Sequence, residues 1–329
     1  MTRNEKPRIA VFTTGGTILS SYDPSTRKIH PAIDGEELLA SIPQLEDHYD
    51  IELHEFCNMP GPHLSPDKGL ELALEIQKIL SRKETEGAVV VQGTDTLEEI
   101  AYLADLVHDS PKPVVFTGAM KSQNEFYSDS RGNLLGALRL ASCRQARNRG
   151  VFVFFNQNIH APRYVMKIST SNTSAFASPE CGPIGTVFND NVIFYTRPEA
   201  EKKYKVKQLD TKVELIKATC GMDNLLIRAC LEAGVSGIVV EGLGAGNLPP
   251  QVVGSIAEAV QRSIPVILVS RCTTGHVGGI YAYEGGGAQL HDLGVIPGGN
   301  LSGPKARIKL MVVLGYSKEV DWIRLCFKV

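Results

Sequence analysis

Ile9-Ala10-Val11-Phe12-Thr13-Thr14-Gly15-Gly16-Thr17-Ile18 contains the first apolar run of the chain. Four apolar residues leading into hydroxyls and paired glycines read as a buried strand stopped by a tight turn, with Thr17 just past the strand's carboxyl edge. The pattern returns downstream. Gly87 to Gly93 is a continuous apolar run closed by glycine, and Leu97 to Val107 follows with helical spacing. Pro113 to Gly118 and Val151 to Phe155 read as further buried strands, with an amphipathic helix from Leu134 to Leu140 between them. Ahead of these, Asp34 to Leu39 reads as a short helix start, and Ile51 to Phe56 alternates like a strand with one wet face. Ser65-Pro66-Asp67 supplies an N-cap, a proline at the first helical position and an early acid for a helix through Leu70, Ile76 and Leu80. Strands apolar on both faces and separated by helices predict a parallel sheet covered on both sides, an α/β fold. Ligands of such sheets bind beyond the carboxyl ends of the strands, so chemistry is expected at the turn holding Thr17.

From Cys181-Gly182-Pro183 to Leu209 the rhythm dissolves into turns, one short strand around Val192 to Tyr195 and the charged stretch Glu199-Ala200-Glu201-Lys202-Lys203. This shift predicts two α/β domains: a larger N-terminal parallel-sheet domain at 1–195 carrying the catalytic groups, a linker at 196–211, and a smaller, flavodoxin-like C-terminal domain at 212–329. In the second, Val213 to Ile216, Gly237 to Val240 and Pro265 to Val269 read as strands. Met222 to Ala233, Val252 to Arg262 and Pro304 to Val313 read as helices.

A net charge of −2 leaves no surplus of cations for phosphate neutralisation, so no nucleic-acid partner is expected. The local cluster Lys202-Lys203-Tyr204-Lys205 reads as a solvated loop. The amino-terminal residues have no apolar signal core and the first strand is too short to span a bilayer, which predicts a cytoplasmic protein with no membrane association. The seven cysteines lack CxxC spacing and the eight histidines lack HExxH spacing, so structural thiols, no metal and no cofactor are expected. Gly242-Leu243-Gly244-Ala245-Gly246 follows a strand but lacks the third glycine of a dinucleotide turn, and no P-loop is present.

Gln92-Gly93-Thr94-Asp95-Thr96 places a hydroxyl and a carboxylate after a second central strand, on the same sheet edge as Thr17. A threonine hydroxyl needs a base or charged partner to act as a nucleophile. Asp95 offers a carboxylate and Lys167 an amine. Alternatively, Thr94 and Asp95 only cap the helix that follows, a common use of both residue types.

Thr14-Gly15-Gly16-Thr17-Ile18, Gly93-Thr94-Asp95-Thr96, Gly118-Ala119-Met120, Lys167 and Gly244-Ala245-Gly246-Asn247-Leu248 follow one another as in the bacterial-type L-asparaginase/glutaminase family, which the chain resembles from its first strand to the helix at Lys305 to Leu310. The resemblance implies an amidohydrolase that releases ammonia from an amino-acid side-chain amide through a threonine acyl-enzyme. It implies Thr17 as nucleophile, and Thr94, Asp95 and Lys167 as a second threonine with its carboxylate and amine, Asp95 also holding the substrate ammonium. Gly61, Pro62, Gly93, Ala119 through its carbonyl, and Asn247 from a neighbouring subunit are the implied substrate-binding residues. A homo-oligomer, dimer or tetramer, with sites between subunits is implied as well.

Two departures stand out. The family's loop tyrosine is matched by Lys28 or Ile29, leaving Tyr22 as either a substitute or a loop aromatic without a role. The family's substrate-carboxylate serine is matched by Gly61, followed by Pro62, so only one backbone N–H remains there. A different amide (glutamine, a D-amino-acid amide or a lactam) is therefore an alternative substrate, and a non-catalytic amino-acid-binding relative is an alternative function. His63 either replaces the missing contact or is a surface residue, and Tyr283 or Glu284 are candidates to reach the pocket. A transamidation subunit is disfavoured because the chain starts directly at its first strand.

Overall fold

In the computed structural model, which describes residues 6–43 and 45–328, the first apolar run forms β1 (Arg8–Thr13), buried from Ile9 onward. A hairpin follows, β2 (Ser20–Asp23) with β3 (Lys28–Pro31), then α1 (Gly35–Ala40), α2 (Leu45–His48) and β4 (Asp50–Glu55). Next come α3 (Pro66–Leu80), β5 (Thr85–Val91), α4 (Leu97–Val107), β6 (Val114–Thr117), α5 (Ser130–Ser142) and β7 (Val151–Phe155). Short strands complete this part: β8 (Asn158–His160), β9 (Met166–Lys167), β10 (Phe176–Ala177), β11 (Gly185–Phe188) and β12 (Asn191–Phe194). Ser65 caps α3 as its sequence predicts, accepting from Lys68 N at 3.2 Å, a contact worth about 1 kcal/mol.

Eight strands form one sheet in the order β12-β11-β8-β7-β6-β5-β1-β4, parallel from β7 to β4 and antiparallel from β7 outward to β12. Side chains alternate between faces along a strand. Ile9, Val11, Val89 and Val91 pack in one cluster with Leu134, Ala137 and Leu138 of α5, while Ala10, Phe12, Ala88 and Val90 are equally buried on the opposite face, where α3 and α4 contact the sheet. Burying each such Val, Ile or Phe contributes about 1.5–3 kcal/mol, which is why these strands show no polar alternation. β4 is one edge of the sheet and is only half-buried, with Ile51 and Leu53 packed against the core.

Counting only the parallel strands in chain order, the sheet reads 2-1-3-4-5. The order reverses between β1 and β5, and that switch point is where an open α/β sheet leaves a crevice for a ligand.

The chain divides into two compact units, Met1–Lys203 and Tyr204–Val329. The second contains β13 (Val213–Lys217), α6 (Leu225–Ala233), β14 (Gly237–Gly242), α7 (Pro250–Gln261), β15 (Val266–Ser270), α8 (Gly287–Asp292), β16 (Ile296–Pro297), α9 (Gly303–Tyr316) and α10 (Val320–Phe327). Its four strands are parallel and lie in chain order, so the flavodoxin-type order is found in the larger sheet and not in this one. Residues 196–211 contain no helix or strand. Within that stretch the cluster at Lys202 is solvated only in part: Lys202 and Lys205 are exposed, but Tyr204 is buried, and Lys203 Nζ donates to Asp105 O at 2.6 Å and Oδ1 at 2.9 Å. Among the described residues no helix is long and apolar enough to cross a membrane, and no group of three or more His, Cys, Asp or Glu could hold a metal ion.

Candidate active site

The two strands at the switch point end in the two glycine-hydroxyl turns. Thr14 ties the first turn to β5, its N and Oγ1 both donating to Val91 O at 3.0 and 3.2 Å. Gly15 and Gly16 follow with φ of 105° and 95°, a region that side chains rarely adopt. The space is closed as well: a Cβ on Gly16 would stand 2.4 Å from Gly93 Cα. This contact presses the two turns together. Thr17 then begins a 3-10 turn, Thr17–Leu19, anchored by the buried Ile18 and Leu19, while Thr17 itself is half-buried in a cleft of about 360 Å³.

The second turn contributes Gly93, Thr94 and Asp95 to the same cleft, and Lys167 at the end of β9 reaches in from its own small hairpin. Lys167 Nζ donates to Thr94 Oγ1 at 2.8 Å and to Asp95 Oδ1 at 2.6 Å. Thr94 is buried and Asp95 exposed, so the triad has a shielded end and a wet end. Capping does not account for these residues. The N-cap of α4 is Thr96, it makes no side-chain cap bond, and its hydroxyl donates instead to Gly61 O at 2.9 Å. Hence Thr17, Thr94, Asp95, Lys167, Gly61, Pro62 and Gly93, scattered over 150 positions of sequence, line one cavity.

A family model for the N-terminal domain of asparaginase matches residues 8–200, and one described as the glutaminase/asparaginase C-terminal domain matches residues 212–327. The chain belongs to the asparaginase family. It is accordingly an asparaginase-like amidohydrolase, a hydrolase of linear amides. It is 33% identical to an L-asparaginase of Bacillus licheniformis over 97% of this chain and 99% of that one. It is 35% identical to a probable L-asparaginase of Deinococcus radiodurans, over 98% and 97% of the two chains. The crystal structure of a probable cytoplasmic L-asparaginase from Campylobacter jejuni matches with a TM-score of 0.87 at 31% identity, covering 98% of this chain and 99% of that one.

Other residues expected from the asparaginase family are placed differently. Ala119 is buried behind the cleft, and its neighbour Met120 lines it. That loop hangs on Asp129, whose carboxylate accepts from Met120 N at 3.1 Å and Lys121 N at 3.0 Å, while Asn133 Nδ2 bridges Asp129 and Gly118 O. Burial pushes the Asp129 carboxyl above its ordinary value, against the pull of those N–H donors. Asn247 lies in the second unit, where its Oδ1 accepts from Gly287 N at 3.2 Å. Tyr283 and Glu284 are exposed in the same unit.

The segment after Thr17 is the β2–β3 hairpin, closed by Asp23. Hydrogen bonds from Ser25 and Thr26 pull the Asp23 carboxyl down to about 2. Ser20, Ile29 and Pro31 line the cleft, and Tyr22 shares their face as the cross-strand partner of Ile29 without lining it. His63 is exposed and does not line the cleft. At Gly61 a Cβ would meet Gly93 at 3.4 Å and Asp95 Cβ at 3.5 Å, ordinary contact distances. The backbone would therefore accept a side chain there. Asn58 and Thr170 also line the cleft. Neither has a local sequence signal that distinguishes it from a loop residue.

Proposed function

We propose that the cleft hydrolyses the side-chain amide of an amino acid, with L-asparagine as the first substrate to test and Thr17 as the nucleophile. The observation that carries this reading is the pair of Lys167 hydrogen bonds, 2.8 Å to Thr94 and 2.6 Å to Asp95, in the cleft that Thr17 enters from the other side of the switch point. The Thr17 oxygen bonds to the amide carbon, and the tetrahedral oxyanion takes hydrogen bonds from backbone N–H groups of the glycine turns, a contribution of about 3 kcal/mol per donor. The C–N bond then breaks. The hydroxyl proton ends on the departing nitrogen and ammonia leaves. Water adds to the acyl-threonine while the Thr94 hydroxyl, held by Lys167, takes a proton from the water and passes its own to the Thr17 oxygen as the acyl bond breaks. The free acid departs and the Thr17 hydroxyl is restored. Asp95 Oδ1 serves Lys167 and Oδ2 serves the substrate ammonium. Ala119 O and, from a neighbouring subunit, Asn247 complete the binding set in a cytoplasmic homo-oligomer, dimer or tetramer. The catalytic groups belong to a domain at 1–195, followed by a linker at 196–211 and the C-terminal domain at 212–329.

Gly61 favours a second reading of the substrate. With a glycine and then a proline at this place, the wall of the cleft offers no side-chain hydrogen bond to a carboxylate. Glutamine, a D-amino-acid amide or a lactam is then the better substrate. Ammonia release from a panel of these compounds decides between the readings. Release from none of them would instead favour a non-catalytic amino-acid-binding protein. Thr17→Ala and Thr94→Ala are each expected to lower turnover by on the order of 10³ with the fold intact, and near wild-type turnover in either removes the role given to that residue.

A further inference from the structure

Lys167 lies on a hairpin of two-residue strands, β9 and β10, and so short a pair does not hold its own geometry. Other contacts fix it. The backbone N of Lys167 donates to Glu98 Oε2 at 2.8 Å. Four residues earlier, Arg163 pairs with the Glu201 carboxylate, and the same Oε1 accepts the Tyr102 hydroxyl at 3.0 Å. Glu98 and Tyr102 are themselves four apart on α4, which puts both on one face of the helix. The stretch 163–167 is thus fastened at both ends to the helix that begins immediately behind Thr94 and Asp95. Tyr102 is fully buried, and only 15% and 8% of the Arg163 and Glu201 side chains is exposed, so water offers these groups little competition.

We infer that Glu98 and the Tyr102–Glu201–Arg163 cluster are positioning residues that set the Lys167 ammonium against the Thr94 hydroxyl. The inference rests on the proposed role of Lys167 in activating Thr94. None of the four touches the cleft. They act through the placement of Lys167, where a displacement of about 1 Å can cost on the order of 10² in rate. Glu201 also gives part of the stretch 196–211 a function in the site beyond connection.

The test is steady-state ammonia release, with the melting temperature, for Glu98→Ala, Glu98→Gln, Tyr102→Phe, Lys167→Ala and the double variants with Lys167→Ala. Glu98→Ala and Tyr102→Phe are expected to lower kcat roughly tenfold with KM within about twofold. Glu98→Gln keeps an acceptor for the Lys167 N–H and should recover kcat to within about threefold of wild type. In the Lys167→Ala background, Glu98→Ala and Tyr102→Phe should each cost less than about twofold, because the group they position is gone. The inference is overturned if both single variants keep kcat within about twofold of wild type, or if either retains its full cost without Lys167. Should Glu98→Ala not fold, Tyr102→Phe, which deletes one oxygen, and its double variant carry the same decision. Wild-type turnover in Lys167→Ala would remove the underlying reading of the lysine, an outcome distinct from a silent Tyr102→Phe beside an inactive Lys167→Ala.

Discussion

The turns after β1 and β5 stand on either side of one switch point, yet they are built by different means. The first is a backbone construction: two glycines at positive φ, packed against Gly93 and Met59, deliver Thr17. The second is held by side chains: Lys167, from far away in sequence, on Thr94 and Asp95, and the turn's own Thr96 hydroxyl on Gly61 O. A local backbone motif tolerates almost no substitution in its frame, but its functional side chain is structurally dispensable. A side-chain network fails in degrees, according to which partner is lost.

Variants should reproduce that contrast. In the first turn, Thr17→Ala is expected to lose on the order of 10³ in turnover while stability stays within about 0.5 kcal/mol, since it removes a half-buried hydroxyl from the cleft. Gly16→Ala should lose turnover and stability together, by about 3 kcal/mol or more, because its Cβ meets backbone at 2.4 Å at a φ of 95°. Thermal melts beside ammonia release separate the two outcomes. A stable Gly16→Ala would show that the frame yields and that the turns are not built differently after all.

In the second turn, Lys167→Ala should lower turnover by on the order of 10², less than loss of the proposed nucleophile Thr17, because Thr94 and Asp95 remain. Removing one partner of the Lys167–Asp95 pair leaves the other at the exposed end, where water takes its place. The melting temperature should therefore move little. If Lys167→Ala matches Thr17→Ala in severity, the second turn is as essential to the chemical step as the first.

The same contrast explains what could be read in the sequence. β1 and β5 are legible because strands buried on both faces show unbroken apolar runs, and glycine-hydroxyl turns leave a local mark. The strand order, and with it the switch point, is not. Nothing in Ile51 to Phe56 says that it pairs with β1 outside β5. The β2–β3 hairpin escapes notice because its turn ends on Arg27 at φ 54°, a left-handed residue that is not glycine, and its strands carry no alternating apolar face. Glu98 and Tyr102 look like ordinary helix positions, and only the fold brings Arg163, Lys167 and Glu201 to them. Asp129 and Asn133, which suspend the loop around Ala119, are silent for the same reason.

Gly61 lies where the two turns meet, its carbonyl tied to Thr96 and its Cα against Gly93. Because a Cβ there finds ordinary contact distances and no positive φ, Gly61→Ser should fold normally. It adds a hydroxyl at the position matched to the family's substrate-carboxylate serine. One hydrogen bond to a charged group is worth about 1.4 kcal/mol, which corresponds to roughly a tenfold lower KM for L-asparagine. An unchanged KM would mean that the carboxylate binds elsewhere, and that the missing serine says nothing about substrate choice.

The smallest effect is expected at Tyr22. It shares the cleft-side face of the hairpin with Ser20, Ile29 and Pro31, yet what holds it in place is its backbone, whose N and O bond to the Asn124 side chain at 2.9 and 2.7 Å. Its phenol does not line the cleft, whereas Ile29, one of the two residues matched to the family's loop tyrosine, does. Tyr22→Phe should therefore leave kcat within about twofold, as expected for a group that takes no part in proton transfer. A loss of about tenfold or more would place the phenol in the reaction and would require the hairpin to close further over bound substrate, making the first turn, like the second, dependent on a side chain from outside it.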